Sequence, residues 1–399
     1  MRVLIAAASA SSAMSGVQRH AFNLARCLLT HPEISAVHLV VAPWQQELAR
    51  NSLEPSARLN VHVAAMQTTA LSRNLWYYRK LPSLATQLRS DIVHLAYPVP
   101  LPARGLACPA IVTLHDLYAY EIPSNFGFPK VLFNRWILQQ CLSAVDSLAC
   151  VSDVTHLRLG KYVSRRIQRK ARRIYNCVEA ETQCAQHCPI PDSIGEPFLL
   201  CVAQHRRNKN IPFLLRVFAQ VIRRRPIDPS TLLVIVGIRG PETGIILRTI
   251  QETGLSRNVR LIEGLSEPNL QWCYRNCRAL LAPSTVEGFG LPVVEALLAG
   301  CRVICSDIPA FRELGGASCC FVPLDGRAQD AFAQAIVATL AKPSRKIGRS
   351  PVLMPQLSTP VIAAQYVRLY RLLLAATSVA ADRVFSSSIQ SPGPKGQSL

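Results

Sequence analysis

Residues 278–305, RALLAPSTVEGFGLPVVEALLAGCRVIC, decide the fold, because they divide into strand, loop, helix and strand. Arg278 to Ala282 is a short apolar run closed by Pro283, and Arg302 to Cys305 is a second one. Runs of this length suit buried strands. Between them, Pro292 fits the first position of a helix and Gly300 fits the cap beyond its last turn. The result is one unit of a parallel α/β sheet. In such units ligands sit off the C-terminal ends of the strands, where the loop lies.

The loop has the composition of an anion site. Gly288 and Gly290 lack the Cβ that would hold a ligand away from the backbone. The helix behind them opens at Leu291, Pro292 and Val293, whose N–H groups (proline's excepted) face an anion together with the positive end of the helix dipole. A carboxylate stands on each side, Glu287 before the loop and Glu295 early in the helix, and each can accept hydrogen bonds from sugar hydroxyls. A diphosphate between two sugars fits these groups. The alternative is an ordinary βα turn in which Glu295 caps the helix, and a Gly-rich loop alone does not separate the two.

EGFGLPVVEA resembles the E-x7-E signature of the retaining glycosyltransferases of family 4, which share the GT-B fold. The resemblance implies an α/β architecture of two Rossmann-like parallel-sheet domains facing across a cleft. It implies that Glu287 lies beside the transferred sugar as a catalytic residue and that Glu295 binds the ribose of the nucleotide. Gly288, Phe289, Gly290 and Leu291 then belong to the donor site.

Other stretches carry the same resemblance. Arg2 to Ala7 reads as a first strand, followed by Gly16 in G-V-Q-R-H-A-F-N-L-A, which is similar to a family loop whose glycine approaches the donor phosphates or the acceptor. A plain helix-start glycine is the other reading of Gly16. Ile111 to Leu114 is a strand that delivers His115 at its end, and T-L-H-D-L matches the family's T-x-H-D-L, which implies a catalytic His115. Phe198 to Ala203 is a strand followed by QHRRNKN, similar to the family's R-x-x-K-N loop. That match places the leaving diphosphate on Arg206 and Lys209, with Arg207 a competitor for the first role. Arg binds such a group bidentately and Lys binds it as a point charge.

Composition bounds the rest. The 399 residues allow two domains, the apolar fraction of 49% supplies full cores, and no apolar run is long enough for a transmembrane helix. The first residues are expected to stay as a strand rather than leave as a signal peptide. Many of the 14 cysteines sit in apolar runs, as small buried hydrophobes in a cytoplasmic protein. No second cysteine pair stands at zinc spacing beside Cys184, His187 and Cys188, so no metal site is expected. The expected plan is a first, acceptor-side domain over 1–180, a linker over 181–196 and a nucleotide-sugar domain over 197–357. A helix over 358–377 crosses back to the first domain, and a disordered tail follows over 378–399.

The net charge of +20 attracts polyanions. Residues 157–174 hold eight basic residues and no acidic one, with Val163, Ile167, Ala171 and Ile174 at helical spacing. Such a helix either lies on an anionic membrane surface or is a solvated face. The combined expectation is a metal-independent glycosyltransferase of cell-surface polysaccharide synthesis. It would use no cofactor beyond a UDP- or GDP-linked nucleotide-sugar, and its acceptor would be a glycan or a polyprenyl-diphosphate-linked glycan. The cell location would be the cytoplasm, with docking on the inner face of the membrane. Its rivals are a silent GT-B binding module and a basic nucleic-acid-binding protein, and the latter lacks any recognisable nucleic-acid motif.

Overall fold

The computed structural model describes residues 1–12, 14–102, 105–178, 184–191, 197–224, 227–343 and 354–388. Among these residues the strands form two parallel sheets. The first contains β1 (Arg2–Ala6), β2 (Ala36–Val41), β3 (Leu59–Val63), β4 (Ile92–Leu95), β5 (Ala110–Leu114), β6 (Ser147–Cys150) and β7 (Ala171–Arg173), in the order β3-β2-β1-β4-β5-β6-β7. The second contains β8 (Phe198–Val202), β9 (Leu232–Val236), β10 (Val259–Ile262), β11 (Leu280–Ala282), β12 (Val303–Ser306) and β13 (Cys319–Val322), in the order β10-β9-β8-β11-β12-β13.

Each domain reverses strand order beside its own first strand, at β1/β4 and at β8/β11. Those reversals are the crevices where doubly wound sheets bind ligands. The central strands are buried on both faces, so they read as continuous apolar runs rather than alternating ones: Val3, Leu4 and Ile5 are fully buried, as are Leu233, Val234 and Ile235. Two Rossmann-like domains facing across a cleft are what the resemblance implies, and they are what the chain forms.

The two domains share apolar contact. Phe289, Val294, Leu298 and Leu314 of the second domain join Phe22, Tyr175 and Val178 of the first in one buried cluster. A helix from Thr359 to Ser388 follows the second domain and lays Ile362, Tyr366 and Tyr370 into that same cluster, against the helix Gly16–Leu29. It passes Thr377 without a break, because residues 378–385 include Ala and Val and hold no Gly or Pro to stop it. The expected tail thus falls on this helix up to Ser388 and beyond it outside the described residues. Of the expected linker, 181–183 and 192–196 also lie outside them.

One expectation is corrected. Residues 157–174 are not one amphipathic helix but the end of a helix Asp153–Leu159, a short helix Arg165–Gln168, and strand β7. Gly160 ends the first piece, and extended Ser164 starts the second. Leu157 is exposed, but the four residues at helical spacing face inward: Ile167 and Ala171 are buried with Val163 against them, and Ile174 is buried in the cluster described above. No apolar stripe is left there for a membrane.

The C-terminal helix is tied to the first sheet by one polar contact in the core. The Tyr370 hydroxyl meets His94 Nδ1 at 2.6 Å, and His94 Nε2 meets Thr113 Oγ1 at 2.8 Å. Tyr370→Phe strands one nitrogen of a fully buried imidazole and is expected to lower stability by about 1–3 kcal/mol. Urea denaturation measures it, and an unchanged midpoint would show that the contact holds nothing.

Candidate active site

A cavity of about 330 Å³ lies between the domains and is lined from both sides. The first domain contributes Gly16, Arg19, His115, Asp116, Tyr118 and Asn176; the second contributes Arg206, Lys209, and Glu287 to Leu291 with Glu295. The Gly288 backbone fixes how closely the walls approach. A Cβ on Gly288 would stand 1.7 Å from the His115 carbonyl oxygen, so only glycine fits. Ser152 and Thr155 then donate their hydroxyls to the Gly288 carbonyl at 2.5 and 3.1 Å. Gly290 is the second required glycine: its φ is +99°, and the Phe311 ring occupies the space of its missing side chain.

The charged groups of this cleft are paired, one set within the second domain and one across to the first. Lys209 Nζ lies 2.5 Å from Glu287 Oε1, and the Tyr118 hydroxyl donates to Glu287 Oε2 at 3.0 Å. Arg19 Nη1 lies 2.8 Å from Glu295 Oε1, its Nη2 lies 2.9 Å from Glu267 Oε2, and the Tyr274 hydroxyl donates to Glu295 Oε2 at 2.8 Å. Burial pulls the Arg19 guanidinium down, but Glu295 and Glu267 outweigh it and hold it above its ordinary value. His115 donates its Nε2–H to the Ala96 carbonyl at 2.8 Å, and burial pushes its pKa down to about 4. The ring is therefore neutral at pH 7 and offers Nδ1 as an acceptor rather than a positive charge.

Known proteins resemble both halves. The family model for glycosyl transferases group 1 matches residues 191–346, and that for glycosyltransferase family 4 matches residues 14–182. The chain belongs to the family 4, group 1 glycosyltransferases. It is 25% identical over 52% of its length to the O-antigen chain mannosyltransferase B of Escherichia coli, and the match covers 55% of that protein. It is 26% identical over 76% of its length, and 78% of the other chain, to a GDP-mannose:cellobiosyl-diphosphopolyprenol alpha-mannosyltransferase of Xanthomonas oryzae. The chain spans about half the length of several curated relatives it matches. In fold it is similar to the sucrose-phosphate synthase of Thermosynechococcus elongatus, with a TM-score of 0.72 at 19% identity over 94% of this chain and 100% of that one.

In this family member, all ten residues singled out from sequence line the one cavity: Gly16, His115, Arg206, Lys209, Glu287 to Leu291 and Glu295. Arg207 does not line it; it is exposed and turns its backbone N–H to Asn125 Oδ1 at 3.2 Å. One detail differs from the reading of the sequence. The Val293 N–H is already bonded to the Gly290 carbonyl at 3.0 Å, because the chain turns tightly at Gly290, so it is not open to an anion. The Phe289 ring is buried against Tyr175, with centroids 6.2 Å apart, and so also packs the two domains together. Tyr118 and Tyr274 carried no sequence signal, since nothing local marks a residue whose partner lies in the other domain or on another helix; Arg19 and Asp116 stand inside G-V-Q-R-H-A-F-N-L-A and T-L-H-D-L, the stretches that single out Gly16 and His115. Among the described residues no group of three or more His, Cys, Asp or Glu could hold a metal ion.

The buried histidines set the acid stability. Burial holds His94 down to about 3 and His115 to about 4, with His20 also well below its ordinary range. Unfolded, they titrate near 6.5, so between those values the unfolded chain binds more protons. Stability is thus full above about pH 6.5 and is lost as pH falls. By pH 5, His94 and His115 each cost about 2 kcal/mol. Asp116, pushed up to about 6 by burial, has the opposite sign; it returns about 1 kcal/mol over the same range. Urea unfolding should show a loss of roughly 3 kcal/mol or more from pH 7 to pH 5. Equal stability at the two values would contradict the neutral histidines.

Proposed function

We propose that the protein transfers a mannosyl residue from GDP-mannose to a glycan or polyprenyl-diphosphate-linked acceptor in cell-surface polysaccharide synthesis. Retention of anomeric configuration and independence of metal are part of this reading. The observation that carries it is the convergence of Arg206, Lys209 and the helix opening at Leu291 with Glu287 and Glu295 on one interdomain cavity. Support for mannose and for a lipid-diphosphate acceptor comes from the relatives named above.

The chemistry follows from charge. As the bond from the anomeric carbon to the diphosphate breaks, negative charge grows on the departing oxygen. Fixed cations aimed at that position stabilise the transition state more than the ground state. Arg206 and Lys209 are such cations, and in this reading they take the part that a metal ion takes in other transferases. Glu287, braced by Lys209 and Tyr118, sits beside the sugar. Glu295, held by Tyr274, accepts from the ribose once Arg19 releases it.

GDP-mannose turnover tests this reading. Arg206→Ala should lower kcat about 100-fold or more with little change in melting temperature; Lys209→Ala should lower it as far and also lower the melting temperature, because it leaves buried Glu287 without its cation, while Arg207→Ala stays near wild type. Damage by Arg207→Ala with Arg206→Ala silent would move the diphosphate out of this cavity.

A cytoplasmic-face, peripheral location also belongs to this reading. Among the described residues no helix is long and apolar enough to cross a membrane. Contact would instead be made at the start of the helix Lys130–Ala144, where Phe128 is 83% exposed, Trp136 59%, Leu132 51% and Phe133 48%. Exposed aromatics on a chain of charge +20 suit an anionic bilayer. Phe133→Ser with Trp136→Ser should abolish co-sedimentation with vesicles containing phosphatidylglycerol, while Gln at Arg165, Arg166 and Arg169 should weaken it only partly. The reverse pattern would return the contact to residues 157–174.

A further inference from the structure

The donor reading commits Arg206 and Lys209 to the departing diphosphate, so an acceptor that carries a diphosphate of its own needs other cations. The first domain supplies them at the mouth of the cavity. Arg158 Nη1 lies 3.4 Å from the Glu287 carbonyl oxygen and 3.4 Å from Glu121 Oε1. Its Nε and Nη2 have no partner among the described residues, so most of the guanidinium fork is open. Lys161 is exposed and makes no ion pair among the described residues. Burial raises the Glu121 carboxyl above its ordinary value, and Arg158 and Lys161 both pull against that rise. Arg135 completes the group. It donates its Nε–H to the Ala119 carbonyl at 2.8 Å and lies 5.0 Å over the Tyr120 ring, which stacks on Tyr162 with centroids 4.7 Å apart. Three cations thus gather around one carboxylate, Glu121, and two positive charges are left over.

These cations stand between the cavity and the exposed apolar face of the helix Lys130–Ala144. Leu132, Arg135, Trp136 and Gln139 recur at three- and four-residue spacing and so share one side of that helix. Gln139 donates to the Tyr120 hydroxyl and to the Tyr162 carbonyl, both at 2.8 Å, which holds this side against the chain next to Lys161. Leu132 and Trp136 are exposed, and the Phe133 ring stacks on Trp136. From the cavity outward the order is therefore polar cleft, surplus positive charge, apolar face. A glycan linked through diphosphate to a polyprenol has the same order of sugar, anion and hydrocarbon.

We propose that Arg158, Lys161 and Arg135 bind the diphosphate of a lipid-linked acceptor, and that its polyprenyl chain leaves along Leu132, Phe133 and Trp136. The glycan then enters the cavity past Glu121 and reaches the transferred sugar beside Glu287. Arg158 offers the diphosphate a planar fork, whereas Lys161 acts as a point charge. With one set of cations for each diphosphate, donor and acceptor occupy the cleft together. A free glycan makes none of these contacts, so the site selects the carrier rather than the sugar. The face that meets the bilayer is thus also the one that receives the substrate from it.

This inference rests on the proposed glycosyl transfer, and the test keeps the two apart. Farnesyl diphosphate is the probe, titrated by calorimetry into protein saturated with GDP so that the donor cations are filled. It should bind. Inorganic pyrophosphate, which has no hydrocarbon, and dihexanoyl-phosphatidylglycerol, a membrane headgroup on short chains, should each bind about 10-fold or more weakly than the probe. Arg158→Gln with Lys161→Gln should weaken farnesyl diphosphate about 10-fold or more by removing two charge-assisted contacts, with GDP affinity within about 2-fold of wild type. Arg158 also touches the second domain, so Lys161→Glu, at an exposed position, serves as a second variant and should weaken the probe by itself. Arg158→Lys should keep part of the affinity. Farnesyl diphosphate binding that is unchanged in both the double variant and Lys161→Glu overturns the proposal. Phosphatidylglycerol binding as tight as the probe's also overturns it, since the patch would then be a headgroup surface. A wild-type protein that binds GDP but no farnesyl diphosphate beside it overturns the acceptor site alone, and one that binds no GDP overturns the donor reading itself.

Discussion

The Gly288 backbone lies against the His115 carbonyl so closely that a single methyl group would not fit between them. This contact sets the relation of the two domains, because it brings the end of β5 against the loop after β11. The hydroxyls of Ser152 and Thr155 fasten the loop from the first domain. Glu313 of the second domain accepts the N–H groups of Asp153 and Val154 at 2.7 and 3.1 Å on the same side. With the walls at this separation, side chains from one domain reach carboxylates of the other. Everything chemical in the cleft depends on that.

The charges in the cleft are arranged in advance of any ligand. Buried Glu287 and Glu295 would be costly without partners, and each has a cation at ion-pair distance together with a tyrosine hydroxyl. Lys209 comes from the same domain as its carboxylate, whereas Arg19 crosses the cleft to reach Glu295 and Glu267. A diphosphate entering the cavity would compete for Lys209, and a ribose would compete with Arg19 for Glu295. In the proposed reading, donor binding is an exchange of partners rather than a simple addition of a ligand.

Much of this was legible in the sequence. The stretch 278–305 folds as strand, loop, helix and strand, since Pro292 and Gly300 punctuate it unambiguously. In QHRRNKN the match to R-x-x-K-N put Arg206 ahead of Arg207, and it is Arg206 that lines the cavity. Residues 157–174 were not legible. Their apolar residues recur every three or four positions, as in a helix, yet the pieces are too short to propagate one, and tertiary burial decides instead. Arg19 and Glu295 are 276 residues apart, so their pairing exists only in the folded chain.

The central claim is that one cleft closes on a sugar nucleotide through Arg206, Lys209 and the Gly288–Leu291 turn. A crystal structure of the chain with GDP tests it most directly. The account predicts the β-phosphate within hydrogen-bond distance of Arg206 and Lys209, at the Leu291 N–H, with the ribose on Glu295 and Arg19 displaced from it. A nucleotide bound elsewhere, or one bound here with the Arg19–Glu295 pair intact and the ribose away from Glu295, would contradict it.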